Sequence, residues 1–283
     1  MIRLILVIAA LLLLTLLLLP IQLVCLAFGL QLQRTIPHLY HRALCALIGV
    51  RIRQVGQRRR GPMLILSNHV SWLDICVISA LTPVVFIAKS EVARWPVFGW
   101  LARLQRTVFI DRQARHRTGA ATQEIGDRLL DGDAVVLFAE GTSSDGTRVL
   151  PFRSALIGAV HHALGASTQQ QAIAVQPMSV AYTGLGGLPI GRELRERVAW
   201  YGDADLMPHL LGILSAGAID VTISWGDAVA TEISADRKQI ARDAEAAVRR
   251  MTAAARRGAA ASGPIDQPRA RPLPQPTAGA QPA

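Results

Sequence analysis

The sequence predicts an α/β fold: a mixed, mostly parallel sheet flanked by helices, preceded by an N-terminal helical membrane anchor. Three observations predict it. Short, continuous apolar runs recur from residue 63 onward. Stretches of helical spacing lie between several of them. A long uncharged apolar segment opens the chain. Strands buried on both faces of a sheet read as unbroken apolar runs, and intervening helices let such strands lie parallel.

The opening segment, Leu4 to Leu30, carries no charge. It exceeds the roughly 20 residues that cross a bilayer. It is also longer than the roughly 7–15-residue core of a signal peptide, so it is expected to be retained. Pro20 should kink or break it. One kinked spanning helix and two shorter helices dipping into one leaflet both fit. Arg3 is the only charge before the run, whereas Arg34, Arg42, Arg51, Arg53 and Arg58-Arg59-Arg60 follow it. By the positive-inside rule the chain after residue 50 faces the cytoplasm, at the inner membrane. Ile36 to Val50 reads as a helix at the interface or under the domain. Arg51 to Arg60 reads as a solvated juxtamembrane stretch or, more sharply, as a contact for anionic headgroups.

Strands are expected at Met63–Ser67, Val84–Ala88, Thr107–Ile110, Ala134–Phe138, Ile173–Val175, Ser179–Tyr182 and Val221–Trp225. Helices are expected at Trp72–Leu81, Trp95–Leu104, Arg115–Leu130 and Arg153–Leu164, with a closing helix from Ser234 to Arg256. From Gly258 the chain is mostly Ala, Gly, Pro, Gln and Arg, the composition of a disordered tail. The domains are thus an anchor and interfacial helix (1–50), a catalytic unit (51–256) and a tail (257–283).

The chain has 283 residues, a formal net charge of +10 and three cysteines. Cys25, Cys45 and Cys76 form no metal-ligand spacing and no disulfide framework. The basic balance suits a membrane surface, nucleic acid or acidic substrates. Nucleic acid is disfavoured, because the arginines lack interleaved aromatics for base stacking. No metal and no cofactor are expected: there is no HExxH, and the adjacent His161 and His162 would point about 100° apart on a helix.

Four stretches carry chemistry. The first is Asn68-His69-Val70-Ser71-Trp72-Leu73-Asp74, at a strand-to-helix turn. A histidine and a carboxylate held together are the parts of a general base and its orienting partner. Alone, the pair reads better as a helix start capped by Ser71 and Asp74. The second is Thr107 to Arg112, where Asp111 and Arg112 emerge at the carboxyl end of a strand, the usual ligand end of such sheets. A surface ion pair is the plain alternative. The third is Phe138-Ala139-Glu140-Gly141-Thr142. Gly141 allows close backbone approach, Glu140 can accept a hydrogen bond from a substrate hydroxyl, and Thr142 can donate one. A tight turn with a structural acid is the alternative. The fourth is Val175-Gln176-Pro177-Met178, a strand interrupted by proline, which by itself says edge, bulge or pocket wall.

In this order the four stretches resemble the blocks of the glycerolipid acyltransferase family, which includes the 1-acylglycerol-3-phosphate acyltransferases. The resemblance spans roughly residues 60–230 plus the anchor. His69 and Asp74 match the family's His-x4-Asp motif. Ala139 replaces the family's usual proline, Ser143 stands where arginine is frequent, and Arg106 stands where glycine often precedes the second block. Lys89 to Trp100 and Glu140 to Gly146 are similar to a bacterial branch that includes lyso-ornithine lipid acyltransferases. The resemblance implies a membrane-bound O-acyltransferase. His69 is the implied base, Asp74 orients it, and Arg112, Glu140, Gly141 and Thr142 form the acceptor site. The implied partners are an acyl carrier protein or acyl-CoA donor and a lysolipid acceptor, lyso-ornithine lipid or 1-acyl-sn-glycerol-3-phosphate. The alternative is a membrane-tethered lipid-binding protein that keeps the fold without the chemistry.

Overall fold

The structure is a computed structural model that describes residues 2–110, 118–155, 157, 173–231 and 236–258. Two helices open the chain, α1 (Ile2–Ala27) and α2 (Leu32–Ile48), joined by a turn with Gly29 at φ 63°. Helix α1 runs unbroken through Pro20. It is long and apolar enough to cross a membrane, by length and composition alone, and most of its surface is exposed. Thr15 Oγ1 and Tyr40 Oη meet at 3.0 Å between the two helices. Helix α2 packs on the domain through Ile36, Cys45 and Ile48.

The strands that follow are β1 (Val50–Val55), β2 (Met63–Ser67), β3 (Val85–Lys89), β4 (Val108–Ile110) and β5 (Ala134–Phe138). Between them lie α3 (Leu73–Leu81), a 3₁₀ turn (Ser90–Arg94), α4 (Phe98–Leu104) and α5 (Thr118–Leu130). Next come β6 (Ile173–Leu185), β7 (Leu188–Pro189), α6 (Arg192–Arg195), α7 (Leu206–Ala216), β8 (Ile219–Trp225), β9 (Val229–Thr231) and α8 (Arg237–Arg256). The expected helix at Arg153–Leu164 and the pair His161-His162 fall mostly or wholly outside the described residues, as does the tail.

Among the described residues the sheet has nine strands in the order β1-β8-β6-β2-β5-β3-β4, with β7 and β9 also on β6. Along that path every pair is parallel except β6 with β8. The unbroken apolar strands explain why. In β2, Met63 and Ile65 face a core shared with α2 and α3, while Leu64 and Leu66 face a second core shared with α5 and α8. With a helix layer on each face, such strands have no solvent side to favour polar alternation.

Two expectations are corrected. Arg51 to Arg60 is not wholly a juxtamembrane stretch. Its first half is β1, an edge strand parallel to β8, in which Arg51 makes a bidentate bond to Asp220 at 2.6 and 2.7 Å across the register. The two strands expected at Ile173–Val175 and Ser179–Tyr182 are one strand, β6. Pro177 is opposite Leu66 of β2. On its other side β9 pairs up to Val175 and β8 begins at Met178, so the missing N–H falls in the gap between two partners. The Pro177 carbonyl still accepts from Gly226 N at 2.9 Å.

Candidate active site

The parallel register brings the first and third stretches together. Ser67, the last residue of β2, is opposite Phe138, the last of β5. The two chains therefore leave the sheet side by side, and Ala139 N donates to Ser67 O at 3.0 Å. The His69 ring lies over Phe138, with centroids 3.9 Å apart and planes 15° from parallel.

His69 occupies the turn and Asp74 the first turn of α3, which begins at Leu73. Asp74 is fully buried. Its Oδ2 accepts from His69 Nδ1 at 2.8 Å, Val70 N at 2.7 Å and Ser71 N at 3.0 Å. Its Oδ1 accepts from Tyr182 Oη at 2.7 Å. The capping expectation holds in its carboxylate half: Asp74 reaches back to the N–H groups ahead of the helix, while Ser71 Oγ accepts from Leu73 N only at 3.4 Å. Four donors converge on this carboxylate, which places the ring hydrogen of His69 on Nδ1 and leaves the Nε2 lone pair free. No described residue bonds Nε2.

Sequence reasoning missed two parts of this arrangement. Asn68 is buried and pairs with β6 like a strand residue: Nδ2 donates to Val180 O and Oδ1 accepts from Val180 N, both at 2.9 Å. Tyr182 lies further along the same strand. Burial, then the neighbouring Asp74, pushes its phenol well above its ordinary pKa, so it remains a donor. Tyr182 is the one aromatic residue of β6, and that was the available signal.

Of the two readings of Glu140, its contacts follow the structural acid at a tight turn. It is buried, and its two oxygens accept from Leu150 N at 3.0 Å and His69 N at 3.4 Å. Both are used on backbone rather than presented to a ligand. Burial pushes its pKa up to about 8, against the opposing pull of those two N–H groups. Gly141 follows at φ 74°, with its N–H donating to Phe138 O at 3.0 Å, a conformation that a side chain would strain. Gly141, Thr142 and Ser143 line the same cavity as His69. Asp111 and Arg112 lie outside the described residues.

That cavity holds about 590 Å³. Its wall runs from His69 and Trp72 to Leu18 and Leu19 of α1 and to Tyr40 and Leu44 of α2, and it is mostly apolar. His69 thus lines an apolar chamber closed partly by the N-terminal helices. This arrangement can take a proton from a hydroxyl while a long hydrocarbon chain stays out of water. Among the described residues, no group of three or more His, Cys, Asp or Glu could hold a metal ion.

Comparison with known proteins gives the family. Residues 49–181 match the family model described as Acyltransferase. The chain is 51% identical over 249 residues to the lyso-ornithine lipid O-acyltransferase of Brucella abortus, covering 88% of this chain and 93% of that protein. It is 44% identical over 255 residues to the protein of the same name from Rhizobium meliloti, covering 90% and 87%. Its fold matches that of the 1-acyl-sn-glycerophosphate acyltransferase PlsC from Thermotoga maritima, with a TM-score of 0.52, 19% identity and coverage of 81% and 80%. The chain belongs to the acyltransferase family and is an enzyme that transfers acyl groups.

Proposed function

We propose that the protein is a membrane-bound O-acyltransferase that moves a fatty acyl group from a carrier-protein or coenzyme A thioester to the free hydroxyl of a lysolipid. The observation that carries this reading is the His69–Asp74 contact at 2.8 Å on the wall of the apolar cavity. His69 Nε2 takes the acceptor hydroxyl proton as the oxygen attacks the thioester carbonyl. Asp74 holds the tautomer and stabilises the imidazolium that forms, as a carboxylate does in a Ser-His-Asp triad. The proton then goes to the departing thiolate, and the enzyme itself is never acylated. Gly141 and Thr142, with Arg112, are assigned to the acceptor site. Glu140 supports the His69 turn from behind.

Lyso-ornithine lipid is the favoured acceptor, because the relatives that match nearly the whole chain carry that name. The competing acceptor is 1-acyl-sn-glycerol-3-phosphate. In this reading residues 1–50 form the anchor and 51–256 the catalytic unit. Both ends of α1 lie against the domain: Arg3 Nη2 donates to Ile48 O at the end of α2 at 2.9 Å and packs on Gly217, where a Cβ would stand 2.7 Å from it, and Gln22 Nε2 donates to Leu104 O at 2.7 Å. A helix that crossed the roughly 30 Å hydrocarbon core would carry one end away from the domain. We therefore read α1 and α2 as a hairpin immersed in one leaflet of the inner membrane, with the catalytic unit on the cytoplasmic side.

Purified enzyme supplied with acyl carrier protein thioester and each lysolipid in turn tests the function. Transfer to lyso-ornithine lipid is expected, and transfer confined to 1-acyl-sn-glycerol-3-phosphate would replace the acceptor. Protease on sealed inverted vesicles should cut the catalytic unit; full protection would reverse the orientation.

A further inference from the structure

A charged cluster lies beside the His69 turn and takes no part in the mechanism above. The loop after Thr142 is clamped to that turn, since Ser144 N and Oγ both donate to His69 O, at 2.9 and 3.1 Å. Beyond the clamp, Asp145 Oδ1 accepts from Thr147 N at 2.7 Å. Arg256, the last residue of α8, donates to Thr147 O at 2.7 Å and to Gly146 O. Arg195 Nη1 reaches Thr147 Oγ1 at 3.5 Å. A Cβ at Gly146 would stand 2.9 Å from Val70 Cγ1 and 3.2 Å from Arg195 Cδ, so Arg195 is one glycine away from the residue that follows His69. Glu196 completes the cluster, accepting from Tyr201 Oη at 3.2 Å.

Two guanidinium groups and two carboxylates therefore share one small region. Yet none of the four makes an ion pair within 4.0 Å among the described residues. The Nε atoms of both Arg195 and Arg256 are buried without a hydrogen-bond partner. Arg256 feels both Arg195 and Asp145: burial and the like charge push its pKa down to about 10, while Asp145 opposes them. Each group is instead tethered separately, by backbone or by a hydroxyl. Opposite charges that sit in each other's field without closing are preorganised for a ligand that carries both signs. A phosphate alone fits poorly, because Asp145 and Glu196 would repel it.

We propose that Arg195 and Asp145 form a subsite for a zwitterionic amino-acid headgroup on the acyl acceptor, with Arg195 binding its carboxylate and Asp145 its ammonium. Arg195 has the role rather than Arg256, whose terminal nitrogens are used on the Gly146 and Thr147 carbonyls. Glu196 adds negative charge on the ammonium side, next to Tyr201. The neighbouring Trp200 and Gly202 line the cavity, so a headgroup held at the cluster can leave its lipid chain in the apolar chamber. The proposal rests on the lysolipid-acceptor reading above and adds which chemical features of the headgroup are read, and by which residues.

The test is a kinetic comparison of three acceptors: lyso-ornithine lipid, its carboxyl methyl ester and its N-acetylated side-chain amine. Wild-type enzyme should show KM raised about tenfold by each modification, the effect of one lost charged hydrogen bond. Arg195→Gln should raise KM for the free acid and no longer distinguish it from the ester, while still distinguishing the N-acetyl analogue. Asp145→Asn keeps an acceptor for Thr147 N and should show the reverse pattern. Wild-type enzyme that treats all three acceptors alike overturns the subsite. So does an Arg195→Gln enzyme that still discriminates against the ester. Wild-type enzyme that does not acylate lyso-ornithine lipid, but does acylate 1-acyl-sn-glycerol-3-phosphate, overturns both the acceptor reading and the subsite. If Arg195→Gln fails to fold, judged by its melting curve, Arg195→Lys is read in its place: it should narrow the preference for the free acid over the ester, and an unchanged preference overturns the subsite.

Discussion

Tyr182 donates its phenolic hydrogen to Asp74 Oδ1 at 2.7 Å across 108 residues of chain. This bond lets a strand in the middle of the sheet hold the carboxylate that holds His69. Removing the donor leaves a buried carboxylate oxygen unsatisfied, at a cost of about 1–3 kcal/mol. Tyr182→Phe should therefore lower the melting temperature. It should also lower kcat about tenfold, the scale of one lost hydrogen bond to the carboxylate that orients the base. A thermal melt and steady-state kinetics check both, with KM for the acceptor expected to change little.

Glu140 makes stability depend on pH. Its folded pKa is raised from 4.5 to about 8 by burial, so the fold favours the protonated acid. The stabilisation is fully present below pH 4.5 and is lost as pH rises through 8. Its upper bound is on the order of 5 kcal/mol. Glu140→Gln cannot ionise. Melting curves should show wild-type stability falling between pH 5 and pH 8.5 relative to this variant. Parallel curves would show that Glu140 titrates normally.

Arg106 holds a buried pair with Asp133, at 2.9 and 3.1 Å, although its φ is 62°. The backbone is left-handed there, a conformation that glycine adopts without strain. Arg106→Gly would relieve strain of about 1 kcal/mol. It would also break a buried ion pair, which costs about 3–5 kcal/mol. Arg34 remains 3.4 Å from Asp133 and softens the loss. Net destabilisation of about 2 kcal/mol should appear in denaturant unfolding. A stabilised variant would mean that the strain outweighs the pair.

How much was legible in the sequence depends on how each segment is buried. Strands β2, β3 and β5 were readable because both faces are covered and their apolar runs are unbroken. Strand β1 was not, because Arg51, Arg53 and Gln54 on an edge strand look like a solvated basic stretch. Strand β6 was split in the reading by Pro177, whose fit depends on where β8 and β9 begin and end. His69 and Asp74 were legible as a local pair. Asn68 and Tyr182 were not, because their partners lie more than a hundred residues away and meet only through the β2–β6 register. Glu140 was legible as an acid at a tight turn, either structural or ligand-facing; its contacts with Leu150 N and His69 N follow the structural alternative, and the sequence could not choose because Leu150 is placed by the loop that follows.

The central claim is that His69 is the base. The direct test is the single-turnover rate of acyl transfer from carrier-protein thioester to lyso-ornithine lipid by His69→Ala, reconstituted in lipid vesicles. We predict a loss of about 10²–10⁴-fold, with circular dichroism and vesicle association unchanged. Wild-type-like transfer by this variant would contradict the account.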